Sequence, residues 1–84
     1  MKYSGKANIQ IDNANLAKEE IIAVLKQNGF TDINISLHSQ TKCTTLPADW
    51  FDDYEFVFHF SAMRSFDLKF GESMSYVTEL NRVA

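Results

Sequence analysis

The stretch Tyr54-Glu55-Phe56-Val57-Phe58-His59-Phe60 decides the fold, because an aromatic ring occupies every second position and smaller or polar residues stand between. Side chains of a strand alternate between its two faces, so this period marks a strand with one buried side. Tyr54, Phe56, Phe58 and Phe60 then define the centre of a hydrophobic core, while Glu55, Val57, His59 and Ser61 face away from it.

Toward the N-terminus, Ile33, Ile35 and Leu37 alternate with Asn34, Ser36 and His38, which predicts a strand over residues 32–39. Tyr3, Gly5, Ala7, Ile9 and Ile11 alternate with Ser4, Lys6, Asn8 and Gln10, which predicts another. Between the two, Ala17, Ile21, Val24 and Leu25 share one helical face. The cluster Asp12-Asn13-Ala14-Asn15 can accept hydrogen bonds from the free N–H groups of a helix start, so the helix is expected over residues 14–28. Gly29 ends it in a left-handed conformation, with Phe30 folding back on Leu25. Glu19 and Glu20 near the start and Lys26 near the end are placed to suit the helix dipole. A strand, a helix and a strand in this order favour a crossover between two parallel strands, whether or not they are neighbours.

Toward the C-terminus, Phe66, Leu68 and Phe70 alternate with Ser65, Asp67 and Lys69, which predicts a strand paired to the aromatic one as a hairpin. Met74, Val77, Leu80 and Ala84 recur at helical spacing and predict a second helix over residues 72–84, although Ser75-Tyr76-Val77-Thr78 is strand-prone. Residues 40–53 have no clear period and read as a loop with one helical turn starting at Pro47. The expected fold is α+β, a two-layer β-α-β-β-β-α sandwich. Its sheet has about four strands in mixed directions, with two helices on one face and the other face open.

A chain of 84 residues that is 45% hydrophobic and 23% charged is expected to form a single domain over residues 1–84 with one core. Cys43 is the sole cysteine, so no intrachain disulfide staples it. Neither a secretory apolar segment nor a run of about 18 apolar residues is present, which points to a cytoplasmic protein without a membrane span. The net charge of −3 is uneven: residues 1–44 hold five lysines against four acids, and residues 45–84 hold seven acids against three basic residues. That balance argues against binding to phosphate backbones, whose affinity comes from Lys and Arg displacing counterions.

No catalytic residue, cofactor site or metal site is expected. Metal binding needs three or four converging ligands. His38, Cys43 and His59 are the only soft donors and none stands at a ligand-like spacing, although a hairpin would bring the two histidines together on the open face. Cys43 lacks a helix start to activate its thiol and reads as structural. The glycines are isolated at positions 5, 29 and 71, so there is no phosphate-binding loop.

The densest charged feature is Asp49, Asp52, Asp53 and Glu55, which surround Trp50 and Phe51. The two rings either plug the end of the core or stand out as an aromatic anchor within an acidic rim, the composition of an interface hot spot. The expected function is therefore a small non-enzymatic inhibitor or adaptor that binds another protein with a basic groove through Asp49, Trp50, Phe51, Asp52, Asp53 and Glu55. Small acidic chains without chemistry of their own offer an analogy, as phage-type antagonists of host nucleic-acid-processing or defence enzymes. The alternative is a small nucleic-acid-binding domain using the open sheet face with Lys2, Lys6, Lys42 and Lys69.

Overall fold

The computed structural model describes residues 1–43 and 53–84. In it the aromatic stretch forms strand β3 (Tyr54–Met63), with Phe56, Phe58, Phe60 and Ala62 buried on one side. The remaining strands are β1 (Lys2–Ile11), β2 (Thr31–Lys42) and β4 (Val77–Arg82), and the helix α1 (Ala14–Gln27) joins β1 to β2. Spatial order in the sheet is β2-β3-β1-β4.

Every neighbouring pair is antiparallel, which corrects the expected mixed sheet. β1 and β2 do run in the same direction, as the crossover rule requires, but β3 lies between them. Ala7 faces Phe58 and Ile9 faces Phe56 across the β1–β3 ladder, so the apolar rows of the two strands fall on the same side. Ala17, Ile21 and Leu25 of α1 close over those rows, with Tyr3 and Phe30 completing the core.

Asn13 caps α1, its Oδ1 accepting from the N–H groups of Asn15 and Leu16 at 2.9 and 3.1 Å. At the other end Phe30 N–H donates to Leu25 O and Gly29 N–H to Lys26 O, both at 3.1 Å, which is the Schellman pattern. Gly29 has φ +86, where a Cβ is strained, and the space a Cβ would fill is taken by the Phe66 ring 2.9 Å away. The first turn of α1 holds no acidic residue, so Glu19 and Glu20 lie beyond the reach of the dipole and only Lys26 suits it.

The second half of the chain departs from expectation in two places. Residues 72–84 are not a helix: Val77–Arg82 pair with β1 as β4, so one helix and not two covers the sheet among the described residues. The open edge of β1 offered unpaired backbone groups, and the strand-prone Tyr76-Val77-Thr78 satisfies them while Val77 and Leu80 still pack on the core. The other departure is at residues 66–70, which form no strand. Their alternation is overridden by Arg64, whose buried side chain draws the following backbone around itself. Residues 64–76 thereby become an irregular strap beside α1, with Met74 packed against the core.

Gly29→Ala is expected to lower stability by about 1–2 kcal/mol from left-handed strain alone, and further because Phe66 must move. An unfolding midpoint equal to or above that of the wild type would mean that neither the cap nor the Phe66 contact stabilises the fold.

Candidate protein-binding site

Arg64 follows directly on β3 and is only 2% exposed. Removing a guanidinium from water costs several kcal/mol unless charge and hydrogen bonds replace the solvent. Here they do. Nη1 and Nη2 donate to the two carboxylate oxygens of Glu72 at 2.7 and 3.2 Å, a bidentate pair, and Nε donates to Phe66 O at 3.2 Å. Rings of Phe66, Phe30 and Tyr3 surround the charge, with centroids 4.2, 4.6 and 5.3 Å from its central carbon.

Tyr3 extends the arrangement. Its hydroxyl lies 3.1 Å from both Phe66 O and Asp67 Oδ1, and Asp67 in turn pairs with Arg82 at 2.8 Å. The Arg64 bonds hold the Glu72 carboxyl below its ordinary pKa, helped by the Lys69 N–H, and Glu72 raises Arg64 further above its own. Asp67 is also lowered, mainly by the Leu68 N–H and then by the Tyr3 hydroxyl.

Glu72, fixed in this way, builds a turn. Its Oε1 accepts from Lys69 N–H at 3.0 Å, and its own N–H donates to Lys69 O at 3.0 Å. Gly71, third of the four residues, has the positive φ of +74 that a type II turn requires. Phe70, second of the four, is thereby held away from the body of the protein and is fully exposed, at 108%. Leu68 and Lys69 beside it are also exposed.

Of the acidic-loop residues expected to bind a partner, Asp49, Trp50, Phe51 and Asp52 lie outside the described residues. Asp53 is half-buried and its carbonyl accepts from Cys43 N–H at 2.9 Å, extending the β2–β3 hairpin by one bond. Glu55 is exposed on the open face, where it accepts from Asn8 Nδ2 at 3.4 Å.

On the same face His38 and His59 do meet, stacked with centroids 4.2 Å apart and planes at 14°. Parallel rings direct their in-plane lone pairs side by side and not toward one point, and no group of three or more His, Cys, Asp or Glu residues converges among the described residues. Nε2 of His59 is buried without a hydrogen-bond partner.

The lysines considered for nucleic acid are dispersed. Lys6 pairs with Glu79 at 3.7 Å on the open face, whereas Lys69 lies over the Phe66 ring at 6.0 Å on the strap. No helix among the described residues is long and apolar enough to cross a membrane.

Phe70, Arg64 and Glu72 are the residues of this candidate site that sequence reasoning missed. The only signal was the pair Phe70-Gly71, which fits a type II turn as well as a strand end. The chain matches no protein-family model, no curated protein and no solved structure.

Depressed carboxyl pKa values give stability that is present above the ordinary carboxyl range and is lost as the pH falls through it. Unfolding free energy should therefore decline from about pH 5 downward, where carboxylates begin to protonate in the unfolded chain. Glu72→Gln should be less stable than wild type at pH 7, with a deficit that shrinks on acidification. A deficit constant from neutral to strongly acid solution, measured by denaturant titration, would contradict the role given to the Glu72 charge.

Proposed function

We propose that the protein is a small non-enzymatic binding module, an inhibitor or adaptor of a larger macromolecular partner, with Phe70 as its anchor. The observation that carries this reading is the fully exposed ring on a turn fixed by a buried ion pair. An exposed phenylalanine forgoes the roughly 1.5–3 kcal/mol that burial of its side chain provides, and a partner with an apolar pocket recovers it. Because Glu72 and Gly71 already hold the turn, little conformational freedom remains to be lost on binding.

The acidic loop takes a second role in this proposal. Asp49, Asp52, Asp53 and Glu55 would steer a basic groove toward the protein, with Trp50 and Phe51 contributing contact area. A module of this kind suits an antagonist of a host nucleic-acid-processing or defence enzyme, as small mobile-element proteins are. Dispersal of the lysines supports a protein partner over direct nucleic-acid binding.

Tagged wild-type protein passed through a lysate of its host should retain a stoichiometric protein partner. Phe70→Ala should weaken that complex by about 2 kcal/mol or more, roughly 30-fold, at unchanged thermal midpoint. Wild-type affinity in Phe70→Ala would remove the anchor, and retention on heparin at moderate salt in place of a protein partner would favour the nucleic-acid alternative.

A further inference from the structure

A depression of about 340 Å³ lies between the strap and β4. Leu68, Met74, Val77 and Leu80 give it an apolar lining, and Lys69 and Glu72 of the turn that carries Phe70 line it as well. β4 is the last strand in the sheet and pairs with β1 alone, so its outer row of backbone groups meets no strand among the described residues. That row can be assigned. Antiparallel neighbours alternate between pairs that exchange hydrogen bonds and pairs whose N–H and C=O groups point the other way. Val83 N–H donates to Lys2 O at 2.8 Å, and Asn81 opposite Ser4 and Glu79 opposite Lys6 keep that phase. Leu80 and Arg82, opposite Gly5 and Tyr3, therefore direct their N–H and C=O groups outward.

We infer that the protein partner held by Phe70 presents an extended segment that adds to the free edge of β4 as a fifth strand. The inference rests on reading Phe70 as an anchor and names the chemistry of what it anchors. Main-chain hydrogen bonds to Leu80 and Arg82 hold the segment, and its alternate side chains enter the depression against Leu68 and Met74. Edge and turn share that depression, so one ligand reaches both.

The two charges that could guard the edge are engaged within the protein, Glu79 with Lys6 at 3.7 Å and Arg82 with Asp67 at 2.8 Å. A second copy is the poorer occupant. Val77 and Leu80 of its own β4 already pack on its core, which leaves that strand no free apolar row to fill the depression. The segment that fits comes from another protein and carries apolar residues at every second position over about five residues, an ordinary strand length.

The probe is a phage-displayed library of random peptides of about ten residues, enough for one strand. Panned against the immobilised protein, it should enrich peptides with apolar residues at alternate positions. Added to ¹⁵N-labelled protein, an enriched peptide should slow exchange of the Leu80 and Arg82 amide protons about tenfold or more, and change Glu79 and Asn81, already bonded to β1, much less. Arg82→Pro removes an outward N–H at an edge position that tolerates proline, and should weaken the peptide about tenfold. Arg82→Ala loses the same Asp67 pair but keeps the N–H, and should bind within about twofold of wild type. Should Arg82→Pro fail to fold by circular dichroism, amide exchange in the wild type decides alone. Enriched peptides that leave both amides unprotected, or a library that yields no binder, would overturn the inference. If such unprotecting peptides are weakened by Phe70→Ala, the anchor stands without the added strand. A peptide that protects both amides yet ignores Phe70→Ala supports the added strand and removes the anchor. Protection that rises with protein concentration in the absence of peptide would overturn the inference by giving the edge to a second copy.

Discussion

One guanidinium, that of Arg64, organises the segment that lies against the core beside α1. The α1 helix covers the sheet on one side of the β3 rings, and among the described residues the irregular segment after β3 lies beside it. Such a segment has unpaired carbonyls and no repeating pattern of its own. Arg64 supplies five donors and a charge at its centre, and the strap takes its shape from them: two carbonyls, two carboxylate oxygens and three rings converge on one side chain. Desolvation costs several kcal/mol, so the arrangement stands only if nearly all of these partners are present together.

That dependence explains why distant parts of the chain meet here. Tyr3 comes from β1, Phe30 from the end of α1, Phe66 and Glu72 from the strap, and the N-terminal amine donates to the Arg64 carbonyl at 3.0 Å. The ion pair also transmits rigidity outward, because the carboxylate that neutralises Arg64 is the one that fixes the Lys69–Glu72 turn. Phe70 is exposed as a consequence of how the interior is neutralised. Interior electrostatics and the exposure of Phe70 are thus joined through Glu72.

How much of this the amino-acid pattern disclosed varies along the chain, for physical reasons. β1, α1, β2 and β3 were legible because each buries one face, and burial of one face writes a period of two or of 3.6 into the residues. The Gly29 cap was legible for a similar reason, since few other residues accept its conformation. Residues 66–84 misled because their patterns are local, whereas their structure is set by partners far away in sequence. Phe66, Leu68 and Phe70 alternate as in a strand, yet Arg64 and Tyr3 capture the backbone first. Val77 and Leu80 fit a helical face, yet the unpaired edge of β1 takes them as a strand. The site residues show the same division. His38 and His59 were brought together by a hairpin that the alternation implied, whereas nothing local to Arg64 or Glu72 announces that either is buried and paired with the other. Asp53 and Glu55 lie at the start of β3, the opposite end from the braced turn.

The most direct test is the side chain of Arg64 itself, observed by its Nε–H resonance in ¹H–¹⁵N NMR spectra at neutral pH. Enclosed by Tyr3, Phe30 and Phe66 and bonded to Phe66 O, this proton should be displaced by ring currents and exchange with solvent slowly, with protection approaching that of core β3 amides. A resonance at the position of a free arginine, exchanging as fast as an exposed side chain, would contradict the account of the strap and with it the basis for the braced turn that carries Phe70.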